Sequence, residues 1–343
     1  MRRLKTVIIV MLITLLLTVL MVGCGGNKTQ QQSGGDTGKK YTLKITHVMD
    51  NNHHYQKGAE KFKELVEKKT NGQVQVQIYP SGQLGAERAI LEGMQMGTIE
   101  MGIVTSGALS NFVPEFAVLD IGYLFKDNKQ AQQVLNGEVG KTLMAKMDQV
   151  GIHSLGWLDV GFRSVYAKKA ITKPEDLKGL KIRTMENPAH IALFKSLGAN
   201  PIPVNWNELY TSLQQGVVDA AENVVDVYYN SKQYEVAPYF SETNHVYLVV
   251  GFMISKSIWD KLPADIQQAI QESATEAIKY ENSVFEQQKT EAYEKLKAAK
   301  VTITPITDLA PFQNLAKQSW ADVAKKIPNG DALLEQIKKA TGN

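Results

Sequence analysis

Three side chains in this sequence are suited to holding an anion: Arg163 in "GFRSVYA", Arg183 in "GLKIRT" and Asn223 in "DAAEN". Each falls at the end of a strand-like segment or just before a helix-like one, and in open α/β sheets ligands bind beyond the carboxyl ends of strands. Arginine suits a carboxylate because its planar fork makes two parallel hydrogen bonds, whereas lysine offers a point charge. Around Arg183 the text is informative in itself. Leu180 and Ile182 alternate with Lys181 as in a half-buried strand, and a Met-Glu-Asn-Pro turn follows the arginine.

Other chemistries find less to work with. No G-x-S-x-G, H-E-x-x-H or phosphate-binding G-x-x-x-x-G-K pattern occurs. The six histidines are His47, His53, His54, His153, His190 and His245. The adjacent His53 and His54 should point in different directions at a helix start, which makes them solvated or capping residues, so no metal site is expected. Asp219 and Glu222 are close enough to suggest a carboxylate pair, but chance pairs are common among 35 acidic residues. No cofactor is called for.

The elements that must position these groups begin with a segment that does not belong to the fold. Arg2, Arg3 and Lys5 precede an apolar run from Val7 to Val22, broken only by Thr14 and Thr18. The run is shorter than the roughly 20 residues of a membrane-spanning helix, so residues 1–23 read as a signal peptide. Leu20-Met21-Val22-Gly23-Cys24 resembles a lipoprotein cleavage site, with Cys24, the single cysteine, as the lipid-bearing residue. Residues 25–40, "GGNKTQQQSGGDTGKK", complete a flexible leash over 24–40. The chain carries 38 basic and 35 acidic side chains. Its three basic residues before Cys24 would leave with the signal, so the mature protein is near neutral and lacks the basic surplus of a nucleic-acid binder.

About 300 residues remain, more than one core usually supports. "YTLKITHVM", "QVQVQIYP" and "IEMGIVTSG" read as strands with helices between them, which predicts parallel crossovers. The pattern restarts at "IHSLGWLDVGFRSVYA". It ends in a proline-free stretch after Pro263 long enough to brace two lobes.

Several motifs in order, "IYPSGQLGAER", "GLKIR", "WNELYTSLQQGVVDAAEN" and "TNH", resemble the extracytoplasmic solute-binding subunits of TRAP transporters, the DctP type. The resemblance runs from about Tyr41 to the final long helix. It implies a two-lobed α/β fold of the periplasmic-binding-protein kind, with a hinge and a long C-terminal helix bracing both lobes. Lobe I would comprise 41–160 plus about 249–288, and lobe II 161–248 plus about 289–343. It further implies that Arg183 clamps the ligand carboxylate, with Arg163 and Asn223 as further contacts. Glu87 would accept a ligand hydroxyl, Trp206 would cover the ligand, and positions near Val48 and Thr105 would line the pocket. Val48 and Thr105 differ from the polar choices of sialate binders, and Ala220 stands where many relatives have glycine. The implied ligand is a C4-dicarboxylate, sugar acid or 2-oxo acid. The implied partner is an ion-gradient-driven membrane permease, and the implied state a monomer tethered outside the cytoplasmic membrane. Two alternatives are the binding lipoprotein of an ATP-driven importer and a secreted enzyme acting on an acidic sugar.

Overall fold

The computed structural model describes residues 39–342. The expected signal peptide, Cys24 and nearly all of the leash lie outside the described residues.

The strands are β1 (Tyr41–Thr46), β2 (Val74–Tyr79), β3 (Met101–Thr105), β4 (Ile152–Ala167), β5 (Lys181–Thr184), β6 (Asn200–Pro203), β7 (Ala220–Asn223), β8 (Tyr239–Ser255) and β9 (Thr302–Pro305). The helices are α1 (His54–Lys69), α2 (Glu87–Met96), α3 (Ser106–Leu109), α4 (Asn128–Leu135), α5 (Glu138–Gln149), α6 (Pro188–Ser196), α7 (Leu209–Gln214), α8 (Val225–Asn230), α9 (Lys256–Trp259), α10 (Ala264–Ala298), α11 (Ala310–Ala324) and α12 (Gly330–Thr341).

The first unit forms as its sequence pattern predicts. Tyr55, Ala59, Phe62 and Val66 fall on one face of α1 and are buried. Each large apolar side chain so buried stabilises by about 1.5–3 kcal/mol. In β2, buried Val74 and Val76 alternate with exposed Gln75 and Gln77. Parallel pairing of β1 with both β2 and β3 confirms the crossovers.

The strands make one sheet in the order β2-β1-β3-β8-β4-β7-β5-β6, with β9 also paired to β8. β4 and β8, of 16 and 17 residues, run antiparallel through its middle. At one end β8 pairs with β3, through Val250–Ile254, and at the other β4 pairs with β7, through Ser164–Ala167. Between these ends the β4–β8 ladder loses register from Asp159 to Phe162, and again from Arg163 to Val165. Gly161 lies in the first break at φ +75°, and Asn244 lies opposite the second at φ +43°. Glycine enters this left-handed region without the penalty a Cβ imposes.

The 35-residue α10 packs against α1, α8 and β4, so it touches elements from both ends of the sheet. No helix of the described residues is long and apolar enough to cross a membrane.

Candidate functional site: a cavity around Arg183

Arg183 is the third residue of β5, which is flanked by β6 and β7 in parallel. The strand continues one residue further than its alternation suggests, to Thr184. Asn187 then caps α6, its Oδ1 accepting hydrogen bonds from the N–H groups of Ala189 (2.8 Å) and His190 (3.2 Å), with Pro188 at the first helical position. This turn fixes the strand end that carries the guanidinium.

Arg183 is only 4% exposed. Its Nε donates to the Val204 carbonyl at 2.9 Å. Among the described residues no carboxylate lies within ion-pairing distance of it, and its two Nη groups have no hydrogen-bond acceptor. Burial pulls its pKa below the usual arginine value, opposed by the field of Glu222 and reinforced by that of Arg163. The side chain lines a cavity of about 300 Å³ together with Glu87, Trp206, Met185, Asn111 and Asn205.

Glu87 opens α2 on the same cavity. The Thr105 N–H donates to its Oε1 at 2.7 Å and the Thr105 hydroxyl to its Oε2 at 2.9 Å. Burial nonetheless raises its pKa above the ordinary carboxylate value. Each oxygen holds a hydrogen bond and keeps capacity to accept another. Trp206, half-buried in a single 3₁₀ turn, supplies an apolar wall.

Arg163 has a different environment. It is 1% exposed, and Glu222 takes most of its fork: Nε to Oε2 at 2.5 Å, Nη2 to Oε1 at 2.8 Å and Nη2 to the Glu222 carbonyl at 2.8 Å. Nη1 donates to Asn223 Oδ1 at 3.1 Å. Burial disfavours the Glu222 charge, but Arg163 outweighs it and holds the carboxyl well below its usual range. His245 Nε2 adds a contact to Glu222 Oε2 at 3.2 Å, and burial lowers the pKa of that histidine.

Of the residues expected from sequence, Arg183, Glu87 and Trp206 share the cavity. Thr105 joins it through Glu87, and Arg163 and Asn223 meet each other. Val48 is buried in an apolar cluster against which Trp206 packs, and does not line the cavity. Glu222 was missed, having been set aside as half of a chance acid pair. The register of β4 and β7 (Ser164 opposite Asn223) makes it a diagonal cross-strand neighbour of Arg163 on one face of the sheet, and only that pairing reveals the partnership.

His53 and His54 correct a second expectation. His53 does cap α1, its Nδ1 accepting from the Tyr55 N–H at 3.2 Å, but neither ring is solvated and both face Asp226. The packing of α8 and α10 over the start of α1 buries them.

A second cavity of about 360 Å³ borders Lys126, Lys289, Phe162 and Phe285. It contains neither buried guanidinium, so the chemistry singles out the smaller one.

The profile of the family described as "Bacterial extracellular solute-binding protein, family 7", DctP, matches residues 45–326. This chain belongs to the DctP family. Among its relatives is the C4-dicarboxylate-binding periplasmic protein DctP of Rhodobacter capsulatus, 35% identical over 306 residues, covering 87% of this chain and 88% of that one. The 2,3-diketo-L-gulonate-binding periplasmic protein YiaO of Escherichia coli is 34% identical over 281 residues, covering 81% and 86%. A solved TRAP periplasmic solute-binding protein from Roseobacter denitrificans, with bound β-D-glucuronate, superposes with a TM-score of 0.84 at 30% identity, covering 87% of this chain and 99% of that one. The two-lobed architecture and the role in TRAP-type solute binding outside the cytoplasm follow from membership of the DctP family.

Proposed function

We propose that the protein captures a small hydroxylated carboxylate, foremost a sugar acid, and presents it to the membrane subunits of a TRAP permease. The observation that carries this reading is a buried guanidinium with no counter-charge in ion-pairing distance among the described residues, lining a cavity of about 300 Å³ beside an anchored carboxylate. That volume is at the lower end for small-molecule sites. Arg183 grips the ligand carboxylate with its free Nη groups. Arg163 holds Asn223 so that its amide completes the hydrogen bonding, and Arg163 approaches the ligand through Nη1. Glu87 accepts from ligand hydroxyls, and Trp206 covers the apolar face.

A C4-dicarboxylate is the second reading, since the R. capsulatus relative is named for such ligands. Glu87 weighs against it, because a second ligand carboxylate there would meet a like charge. Closure occurs about the breaks in β4 and β8. We place the hinge there because Asp159 pairs with Val249 beside the first break, next to the lobe boundaries near 160 and 249 that the resemblance implies. Water exclusion on closure strengthens every polar contact to the ligand. We further propose a monomer held to the membrane through Cys24, and binding without chemical conversion of the solute.

Calorimetric titration with aldonates, uronates and C4-dicarboxylates tests the ligand class. Sugar acids should bind tightest, and Glu87→Gln should reduce that preference. Losing one partner of a buried charge contact costs about 2–5 kcal/mol, so Arg183→Lys, which lacks the fork, should weaken binding roughly 30- to several-thousand-fold. Arg183→Lys binding within a few-fold of wild type would overturn the assignment, as would preference for neutral polyols over their acids.

A further inference from the structure

Away from the solute cavity, His53 and His54 at the start of α1 meet Asp226 in the first turn of α8 and Glu281 in the middle of α10. None of the four is more than 1% exposed. The Nε2 atoms of His53 and His54 lie 3.4 and 3.1 Å from the same oxygen, Asp226 Oδ2. Despite that proximity, neither Nε2 atom and neither Asp226 oxygen makes an aligned hydrogen bond. Four buried polar atoms packed against Tyr55 and Phe285 and joined only by unaligned histidine–Asp226 contacts are costly.

The spacing fits a different partner. Zinc takes histidine nitrogen at about 2.0–2.1 Å and carboxylate oxygen at about 2.0–2.2 Å. Tetrahedral geometry then places donors about 3.3 Å apart, and the two nitrogen–oxygen separations, 3.1 and 3.4 Å, bracket that edge. All three donor atoms lie within 4.8 Å of one another. The other ring nitrogen of His54, Nδ1, is held by Glu281. A carboxylate bonded to the far nitrogen of a metal-binding histidine is the usual way such a ring is oriented and its tautomer set. Two buried carboxylates and two neutral imidazoles would sum to zero with one divalent cation, which would displace the proton that Glu281 and Asp226 otherwise hold on His54.

The geometry points to a divalent transition-metal site, best matched to zinc, formed by His53 Nε2, His54 Nε2 and Asp226, with a fourth position open. Coordination keeps the His54 proton on Nδ1, facing Glu281. It moves the His53 proton from Nε2 to Nδ1, so the Tyr55 N–H loses that acceptor, and the metal replaces it as the constraint on the helix start. Because α1 belongs to the β1–β2 unit and α8 follows β7, the ion would staple the two ends of the sheet together across α10.

The test is titration of chelator-treated protein with Co²⁺, a visible probe for zinc sites. One equivalent should bind per chain, with the d–d absorption of a low-coordinate nitrogen–oxygen site, and Zn²⁺ should displace it. His54→Gln and Asp226→Asn should abolish the spectrum. Glu281→Gln should weaken metal affinity roughly 10- to 100-fold. Circular dichroism and a cooperative melt report whether each variant is folded, and where a variant fails this control the wild-type measurement of melting with and without Zn²⁺ decides, with a rise expected. Absence of stoichiometric uptake by wild type, unchanged melting with Zn²⁺, or an unaltered spectrum in folded His54→Gln and Asp226→Asn would each overturn the site.

Discussion

Arg163 and Arg183 are both buried, on strands of one sheet, and the field of the first acts on the second, yet they are built for opposite ends. Arg163 meets Glu222 through two nitrogens and is a finished ion pair. Arg183 spends one N–H on a carbonyl and keeps its charge unmatched beside a cavity. A buried charge is tolerated when paired and is costly when it is not. The charge of the first arginine is therefore met inside the architecture, with only Nη1 turned to Asn223 and the proposed ligand, whereas the second carries an unmet demand that a ligand carboxylate can satisfy. The same environment that makes a group expensive to bury makes it effective at binding.

Removing Glu222 breaks the contrast most forcefully. Glu222→Gln leaves Arg163 without a counter-charge and should lower unfolding free energy by about 3–5 kcal/mol, read by chemical denaturation. Replacing the pair together, Arg163→Met with Glu222→Leu, should recover most of that loss, because the interior then holds no charge to compensate. Equal losses in the single and double variants would mean that packing, not charge, is at stake.

Acid should separate the two regions by sign. Glu222 has a depressed pKa, so its stabilisation is present above the unfolded value near 4.5 and is lost as pH falls through the folded one. His245, lowered by burial, adds to acid sensitivity, because the unfolded chain takes up its proton first below about pH 6.5. Glu87, raised by burial, acts the other way: its cost to the fold disappears as pH falls toward the unfolded value. Stability should therefore fall less steeply below pH 4.5 in Glu222→Gln than in wild type, whereas Glu87→Gln should lose the relief that wild type gains above pH 4.5 as the pH falls toward that value.

The finest distinction concerns Thr105. Thr105→Val removes one neutral donor from Glu87 and should cost about 1 kcal/mol of affinity for a hydroxylated acid, with little change in affinity for its deoxy analogue. Equal losses for both would place Thr105 outside hydroxyl recognition.

Much of this was legible beforehand where local pattern and final environment agree. Period-2 alternation placed β2, helical spacing placed α1, and absence of proline after Pro263 gave α10 nearly to its ends. The last strand in the middle of the sheet was not read at all. In β8, Val246–Ile254 is apolar on both faces, so it lacks the alternation that marks a half-exposed strand. The segment holding α3 to α5 has short helices with few distinguishing signals. At the site, residue type and strand-end position pointed to Arg183, and the resemblance to DctP proteins pointed to Glu87. What decides between a clamp and a salt bridge is the neighbour across the ladder, and sequence spacing does not disclose that Glu222 lies diagonal to Arg163. The burial of His53 and His54 was likewise set by α8 and α10, which lie far away along the chain.

The most direct test of the unmatched guanidinium is thermal melting of Arg183→Met with and without the solute that wild type binds. The ligand-free variant should melt at or above the wild-type temperature, since an uncompensated buried charge is gone, and the solute should no longer raise it. A variant that melts well below wild type yet keeps a full solute-induced rise would contradict the account.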